Sequence, residues 1–165
     1  MKIMNLTKAT AVLALALSTS YFQKEIAQAA SDTAQALQVV QAAIGIAQVS
    51  DLDFGTAVQG DAAKTVVPGA AENAENASFN VTGQPGLAYT ITLPADGAVV
   101  MQTGAGGANE TIAVNSFVSN PAVGANGLLS AGGTQSLFVG ATRAALGAAQ
   151  VAGGYSTTFT VDVVY

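Results

Sequence analysis

Residues 155–165 have the sequence YSTTFTVDVVY, and this stretch gives the clearest indication of the fold class. Apolar side chains recur at every second position, with small polar or acidic residues between most of them. Successive side chains of a β-strand point to opposite faces of a sheet, so the alternation predicts a half-buried strand. Its inward face would carry Tyr155, Thr157, Phe159, Val161, Val163 and Tyr165. An apolar strand at a sheet edge has to be either protected or used for pairing.

From residue 51 onward, short apolar runs are separated by turn-forming residues. The sharpest turn signal is Gly-Gln-Pro-Gly at residues 83–86, because proline and glycine favour turn conformations. Strands are predicted over residues 64–67, 78–81, 89–93, 99–102, 111–117, 137–146 and 155–165. Residues 120–133 are predicted to form a Gly/Asn-rich loop. The pattern predicts an all-β protein, an immunoglobulin-like antiparallel β-sandwich of about eight or nine short strands.

The first 29 residues have the features of a signal peptide. Lys2 and Lys8 accompany an apolar run at residues 9–17, and Ala-Gln-Ala at 27–29 offers the small residues that signal peptidase accepts. The run is too short to remain as a membrane anchor. We therefore expect export. The predicted layout is a signal peptide at 1–29, an N-terminal extension or first strand at 30–49, and a sandwich domain at 50–165.

Residues 31–48 allow more than one interpretation. An extended conformation would place Val40, Ala42, Ile44 and Ile46 on one face, whereas a helix would stack Leu37 with Val40 and Ile44. Gly45 and the β-branched residues favour the extended form from about Val39 onward. An extended segment could be the first strand of its own domain or a strand donated to another molecule, and the two roles could divide the region around Gly45.

Charge and composition restrict the classes of partner. Beyond residue 29 the chain has two basic residues, Lys64 and Arg143, against nine acidic ones, a net charge of −7. Nucleic acid binding needs clustered lysine and arginine, so it is not expected. Charged residues make up only 9% of the sequence, well below the roughly 25% of a typical soluble domain. The low value suggests either that neighbouring molecules cover much of the surface or that solubility outside the cell is maintained by other means.

Histidine and cysteine are both absent from the chain. Catalysis of the Ser-His-Asp and Cys-His types is therefore excluded, as are ordinary zinc, haem and iron–sulfur sites. Asp51 and Asp53 would share one face of a strand and could bind calcium. Their alternation with Leu52 and Phe54 indicates instead that they are solvent-facing. A hydrolase based on paired carboxylates is a third hypothesis, but we expect no enzymatic activity and no cofactor.

Several segments together resemble a family of secreted bacterial β-sandwich domains of unknown function. The similar segments are DLDFG at 51–55, ASFNVTG at 77–83, QPG at 84–86, YTITLP at 89–94, LFVGA at 137–141 and the stretch at 153–165. That family is similar to the subunits of archaic chaperone–usher pili and to spore-coat-like pilin domains. The resemblance implies a fimbrial subunit at the cell surface of a Gram-negative bacterium, reached through the periplasm. It also implies a periplasmic chaperone and an outer-membrane usher as partners.

In such subunits a sandwich that lacks one strand is completed by the N-terminal segment of the next copy. The donor residues would be Val40, Ala42, Ile44 and Ile46, and the acceptor edge Phe159, Val161, Val163 and Tyr165. The expected function is an exported structural subunit of a surface filament or extracellular layer. The alternative is a monomeric secreted adhesion module that recognises a glycan or a protein through its Gly/Asn-rich loops, above all residues 120–133.

Overall fold

The computed structural model describes residues 30–165, which contain nine β-strands and no helix. The strands are β1 (Gly45–Ser50), β2 (Lys64–Thr65), β3 (Ala77–Thr82), β4 (Ala88–Thr92), β5 (Val99–Gln102), β6 (Thr111–Asn120), β7 (Gly124–Leu128), β8 (Thr134–Arg143) and β9 (Asp162–Val164). The chain divides into two units, Met1–Gln38 and Val39–Tyr165, and the second contains every strand. In the first unit, residues 30–38 have no regular secondary structure. The predicted signal peptide lies outside the described residues.

The strands form two antiparallel sheets. The larger sheet has the order β1-β3-β8-β6-β5, and β2 also pairs with β8, at Thr142 and Arg143. The smaller sheet has the order β7-β4-β9. The longest uninterrupted pairing joins β3 and β8, from Ala77 opposite Val139 to Thr82 opposite Thr134. The prediction of an all-β, antiparallel β-sandwich of eight or nine short strands is confirmed.

Apolar side chains that alternate along the strands form two neighbouring core clusters. The first consists of Ala77, Val81, Tyr89, Ile91, Leu129, Leu137, Val139 and Val161. The second consists of Phe54, Val66, Val99, Val114 and Ala141. Three half-buried side chains, Leu52, Phe117 and Phe159, pack against both clusters. They therefore join the two parts of the core.

A bulge in β6 changes the direction in which Phe117 points. Strict alternation after Ile112 and Val114 would turn Ser116 inward and Phe117 outward. The pairing with β8 shifts between Asn115 and Val118, and Ser116 has a positive φ of 53°. The Ser116 amide donates a hydrogen bond of 2.6 Å to Asp96 Oδ1, which supports this backbone conformation. A β-bulge re-aims the side chains that follow it, so Phe117 packs inside the sandwich.

Two sequence predictions were wrong in detail. Residues 120–133 are not simply a loop, because they contain β7, which pairs with β4. Strand β7 has the sequence GANGL, which offers no apolar alternation, and it fits because Gly127 lies against the ring of Tyr89. Strand β8 starts and ends three residues earlier than predicted, at Thr134 and Arg143.

The long strand that was predicted over residues 155–165 is regular only in β9 (Asp162–Val164). Ser156 forms a single bridge with Gln102 of β5. The same segment thus contacts the larger sheet first and the smaller sheet afterwards. The period-two pattern is confirmed from Thr158 to Val163, since Phe159, Val161 and Val163 face the core while Thr158 and Thr160 are exposed. It is wrong for Thr157 and Tyr165, which were predicted to face inward and are exposed.

The ambiguous N-terminal region is extended where it is regular. Residues Gly45–Ser50 form β1, which pairs with β3 and places Ile46 opposite Val81. The helical alternative is therefore wrong for these residues. Because Ile44 also packs against the first core cluster, the chain's own sandwich already uses the region from Ile44 onward.

Candidate strand-binding groove

The C-terminal segment, defined as residues 155–165, presents an unpaired edge. Strand β9 pairs with β4 along one side only, with Ile91 opposite Val163. Within the described part of the chain no strand pairs with its other side. Residues 157–161 also form no backbone–backbone hydrogen bond with any described residue. Unpaired N–H and C=O groups along a strand are a template for another strand.

An open groove runs beside the first half of the C-terminal segment, residues 155–159. It consists of two adjoining cavities of about 400 Å³ and 650 Å³. Both are lined by Leu52, Asp53, Phe54, Met101 and Tyr155. No residue of β4, β7 or β9 lines either cavity, and the C-terminal segment contributes Tyr155, Ser156, Thr157 and Phe159 to the groove.

Residues 51–58 form the opposite wall of the open groove. The alternation predicted here is confirmed, because Leu52 is half-buried and Phe54 buried while Asp51 and Asp53 are exposed. The amide of Gly55 is bonded to the side chain of Asp53, and no strand is assigned between residues 51 and 63. The two walls are thus non-strand segments that face each other without pairing.

The two aspartates do not form part of a metal centre in the described residues. No group of three or more histidine, cysteine, aspartate or glutamate side chains lies close enough there to hold a metal ion. Asp51 Oδ1 instead accepts a hydrogen bond from Gln48 Nε2. The structure therefore gives these carboxylates local structural roles.

Apolar side chains form the floor of the smaller cavity. Val99 and Met101 come from β5, and Val114 and Phe117 come from β6. Phe159 lies at the edge of this floor, with its ring centroid 5.2 Å from that of Phe117. Several of these side chains are only half-buried, which is unusual for large apolar groups between two sheets. The smaller cavity therefore suits apolar side chains of an inserted segment.

The larger cavity is more polar at its far end. Arg143 is only 5% exposed there, and it donates hydrogen bonds to the backbone oxygens of Ala144 and Ala62 at 2.8 and 3.1 Å. Its Nε has no hydrogen-bond partner among the described residues. Gln150 also lines this cavity, and its Nε2 donates to the hydroxyl of Tyr155 at 2.9 Å. The two cavities thus differ in chemistry.

The N-terminal segment, defined as residues 30–43, carries exposed apolar side chains. Leu37, Val39 and Val40 are 86%, 88% and 81% exposed. Both backbone groups of Ala42, the amide and the carbonyl, form hydrogen bonds to side chains. Its amide donates to Gln84 Oε1 at 3.2 Å, and its carbonyl oxygen accepts from the hydroxyl of Tyr165 at 3.1 Å. Ala42 is therefore the point at which the N-terminal segment leaves the sandwich.

The structure separates the four predicted donor residues into two pairs. Val40 and Ala42 belong to the exposed N-terminal segment, whereas Ile44 packs against the core and Ile46 lies in β1. The structure brings the four predicted acceptor residues together in the C-terminal segment. Of these, Phe159, Val161 and Val163 pack against the first core cluster or belong to it, and Tyr165 is 43% exposed.

Sequence reasoning missed the floor of the open groove. The residues concerned are separated along the chain, and only the pairing of β5 with β6 brings them together. The alternation around Leu52 and Phe54 predicted that these two side chains face inward, but it did not predict that residues 51–58 line a groove. A signal that could have been used is the pair of glycines at positions 55 and 60, because glycine weakens the interior of a strand.

Fold and groove together define an antiparallel β-sandwich domain with an open groove beside its C-terminal segment. The family described as "Domain of unknown function (DUF4402)" matches residues 44–165, and the chain belongs to this family. The match begins one residue before β1, so it covers every strand of the sandwich. No curated protein and no solved structure matches the chain. The described residues include no helix that is long and apolar enough to cross a membrane.

Proposed function

We propose that the protein is an exported, non-enzymatic structural subunit that assembles into a surface filament or extracellular layer by strand addition. The observation that carries this proposal is the open groove beside the unpaired edge of the C-terminal segment. A strand placed there would lie along residues 155–159 and cover the apolar floor, and its continuation would reach the free edge of β9. A second copy of the chain can supply that strand from its N-terminal segment.

The chemistry of the two surfaces supports this proposal. Binding by strand addition takes affinity from backbone hydrogen bonds and specificity from alternate side chains that enter pockets. The groove offers unbonded backbone groups at residues 157–161 and an apolar floor at Met101 and Phe117. The N-terminal segment offers backbone that belongs to no strand and exposed apolar side chains. The acceptor edge remains Phe159, Val161, Val163 and Tyr165.

Composition gives further support. With 9% charged residues and no cysteine, the chain has neither a highly charged surface nor disulfides to stabilise a small exported domain. Burial of the groove by a neighbouring copy would provide stabilisation of another kind. Export is proposed from the signal-peptide features of residues 1–29, and a chaperone and usher from the resemblance to pilin subunits.

Deletion of residues 31–41 tests the proposal. The deletion keeps Ala42 and β1, so the sandwich should fold, and circular dichroism checks this. A matched control replaces the same residues by a Gly/Ser sequence of equal length. The unaltered chain should form polymers in analytical ultracentrifugation and electron microscopy, and both variants should remain monomeric. A synthetic peptide of residues 30–43 should raise the Tm of the deletion variant, whereas a scrambled peptide should not.

The alternative function, a monomeric adhesion module, makes the opposite prediction. The chain would remain monomeric at high concentration, and deletion of residues 31–41 would change neither its association nor its ligand binding. Polymers that persist after the deletion would also overturn strand addition by this segment.

A further inference from the structure

The N-terminal segment can present two different faces to a groove. Alternate residues of an extended segment point in opposite directions, so Leu37 and Val39 share one face and Val40 lies on the other. The face of Val40 otherwise carries Asp32, alanines and a glutamine, up to Ala42. Since Ile44 and Ile46 are already used in the chain's own sandwich, Leu37 and Val39 are the largest apolar pair available on either face.

The smaller cavity is the place where such a pair fits. Its floor is apolar, whereas the larger cavity has buried Arg143 and Gln150 at its far end. The C-terminal segment lines the smaller cavity with Tyr155, Ser156, Thr157 and Phe159, and of these Thr157 and Phe159 alternate in register with the core-facing Val161 and Val163. In an antiparallel pair, residues directly opposite each other point to the same face. Inward donor residues should therefore lie opposite these two.

The attachment of Ala42 determines the direction of the inserted segment. Each copy's N-terminal segment leaves the sandwich at the Tyr165 end of the C-terminal segment, because Tyr165 bonds to Ala42. Head-to-tail growth requires the donor's own Ala42 to lie at the other end, beside Tyr155. The donor must then run antiparallel to residues 155–165. A parallel donor would bring two equivalent ends together and give a closed reciprocal pair.

The segment's own sequence disfavours insertion into the groove of the same molecule. That would require a sharp reversal close to Ala42, yet residues 30–44 contain neither glycine nor proline. Val39 and Val40 are β-branched and favour continued extension. A segment folded back in this way would also run parallel to the C-terminal segment, and parallel pairing is slightly less stable per residue. A second copy is the better occupant.

On the basis of the proposed function, we infer that residues 31–41 of a second copy insert antiparallel to the C-terminal segment, with Leu37 opposite Phe159 and Val39 opposite Thr157. Both apolar side chains enter the smaller cavity, and the assembly is an open head-to-tail chain. The lengths agree, since residues 31–41 and 155–165 each span about 36 Å when extended.

Two matched substitutions test which face enters the groove. Val39→Asp and Val40→Asp change the same residue type at neighbouring, equally exposed positions. Val39→Asp should lower the polymerised fraction by more than about tenfold, because burial of an unpaired carboxylate is strongly unfavourable. Val40→Asp should leave polymerisation within about twofold of the unaltered chain, since an exposed charge remains in water. The reverse pattern would overturn the assignment of faces.

Engineered cysteine pairs test the direction, and the chain has no native cysteine to interfere. In the antiparallel arrangement Ala34 lies opposite Asp162, and in the parallel one it lies opposite Ser156. Oxidation of the Ala34→Cys/Asp162→Cys variant should give a ladder of covalent multimers on a non-reducing gel. The Ala34→Cys/Ser156→Cys variant should give none. Cross-strand pairs are close enough for a disulfide with small adjustment.

Each other outcome has a distinct meaning. Covalent dimers from the Ser156 pair alone would overturn the direction and indicate a reciprocal pair. A fast-migrating oxidised monomer from that pair would indicate self-insertion and would overturn the assignment to a second copy. Polymers without any cross-link would overturn the proposed register while leaving the proposed function in place. A chain that forms no polymers at all would overturn both.

Discussion

The hydroxyl of Tyr165 donates a hydrogen bond to the backbone oxygen of Ala42, across 123 positions of the chain, and accepts one of 2.6 Å from the amide of Gln84. Three backbone regions thus meet at one side chain: the exit of the N-terminal segment, the turn after β3 and the residue that follows β9. Gly83 permits this contact, because a Cβ there would overlap the Tyr165 hydroxyl.

Removal of that hydroxyl should loosen the exit of the N-terminal segment. We expect Tyr165→Phe to lower the free energy of unfolding by about 1 kcal/mol, since it deletes two partly exposed hydrogen bonds. Amide hydrogen exchange should become faster at Gln84, which loses its acceptor. The amide of Val139, in the centre of β8, is the internal control. Unchanged exchange at Gln84 would contradict the role given to this hydroxyl.

Phe159 should matter more to the core than its partial exposure suggests. Its ring packs against both core clusters and lies near Phe79 and Phe117. Phe159→Ala should therefore lower the free energy of unfolding by about 2–4 kcal/mol in denaturant titrations. The neighbouring exposed residue provides the control, since Thr158→Ala should change it by less than about 0.5 kcal/mol. Equal effects would show that Phe159 packs less tightly than described.

Gly127 should not tolerate a side chain. A Cβ at this position would overlap the ring of Tyr89, which is only 2% exposed and cannot move away easily. We expect Gly127→Ala to cost about 1–3 kcal/mol of unfolding free energy through overpacking. A Cβ added at Gly154 would meet no atom within 4 Å, so Gly154→Ala is the matched control. A well-tolerated Gly127→Ala would indicate that β7 can separate from β4.

Stability should decrease in strongly alkaline solution because of Tyr89. Burial raises the pKa of the Tyr89 phenol above its ordinary value of 10.0, since the charged form is poorly solvated in the core. The contribution of the buried, neutral phenol to the free energy of unfolding is therefore complete below pH 10.0. It is lost as the pH rises through the pKa of Tyr89 in the folded state. Tyr89→Phe should weaken this pH dependence. Gln135 Oε1 would keep a donor in that variant, because it also accepts from the Leu128 amide.

The sequence predicted the fold class wherever a strand has one buried and one exposed face. In β4 the apolar positions alternate and the buried residues follow that alternation, and in β3 and β8 the largest buried side chains, Val81, Leu137 and Val139, also lie on alternate positions. Strand β7 was missed because a glycine, Gly127, fits against Tyr89 by lacking a side chain. No hydrophobicity pattern can signal a fit of that kind.

The candidate site was predicted less completely than the fold. The apolar face of residues 155–165 was evident, but its free edge depends on which strand pairs with β9 on the other side. The floor depends on the bulge at Ser116, which turns Phe117 inward against the local pattern. The division of the N-terminal region at Gly45 follows from pairing with β3, a contact between distant residues that local propensity does not encode.

The C-terminal segment bridges β5 of one sheet at Ser156 and pairs with β4 of the other sheet at Val163. Separation of β5 from Ser156, or of β4 from β9, would therefore disturb a segment that the two sheets share. Because one segment joins the two sheets, we expect them to unfold together in a single cooperative transition. Near-ultraviolet circular dichroism of the tyrosines and far-ultraviolet circular dichroism should therefore give coincident melting curves. Whatever binds along the segment would accordingly shift the melting of both layers together.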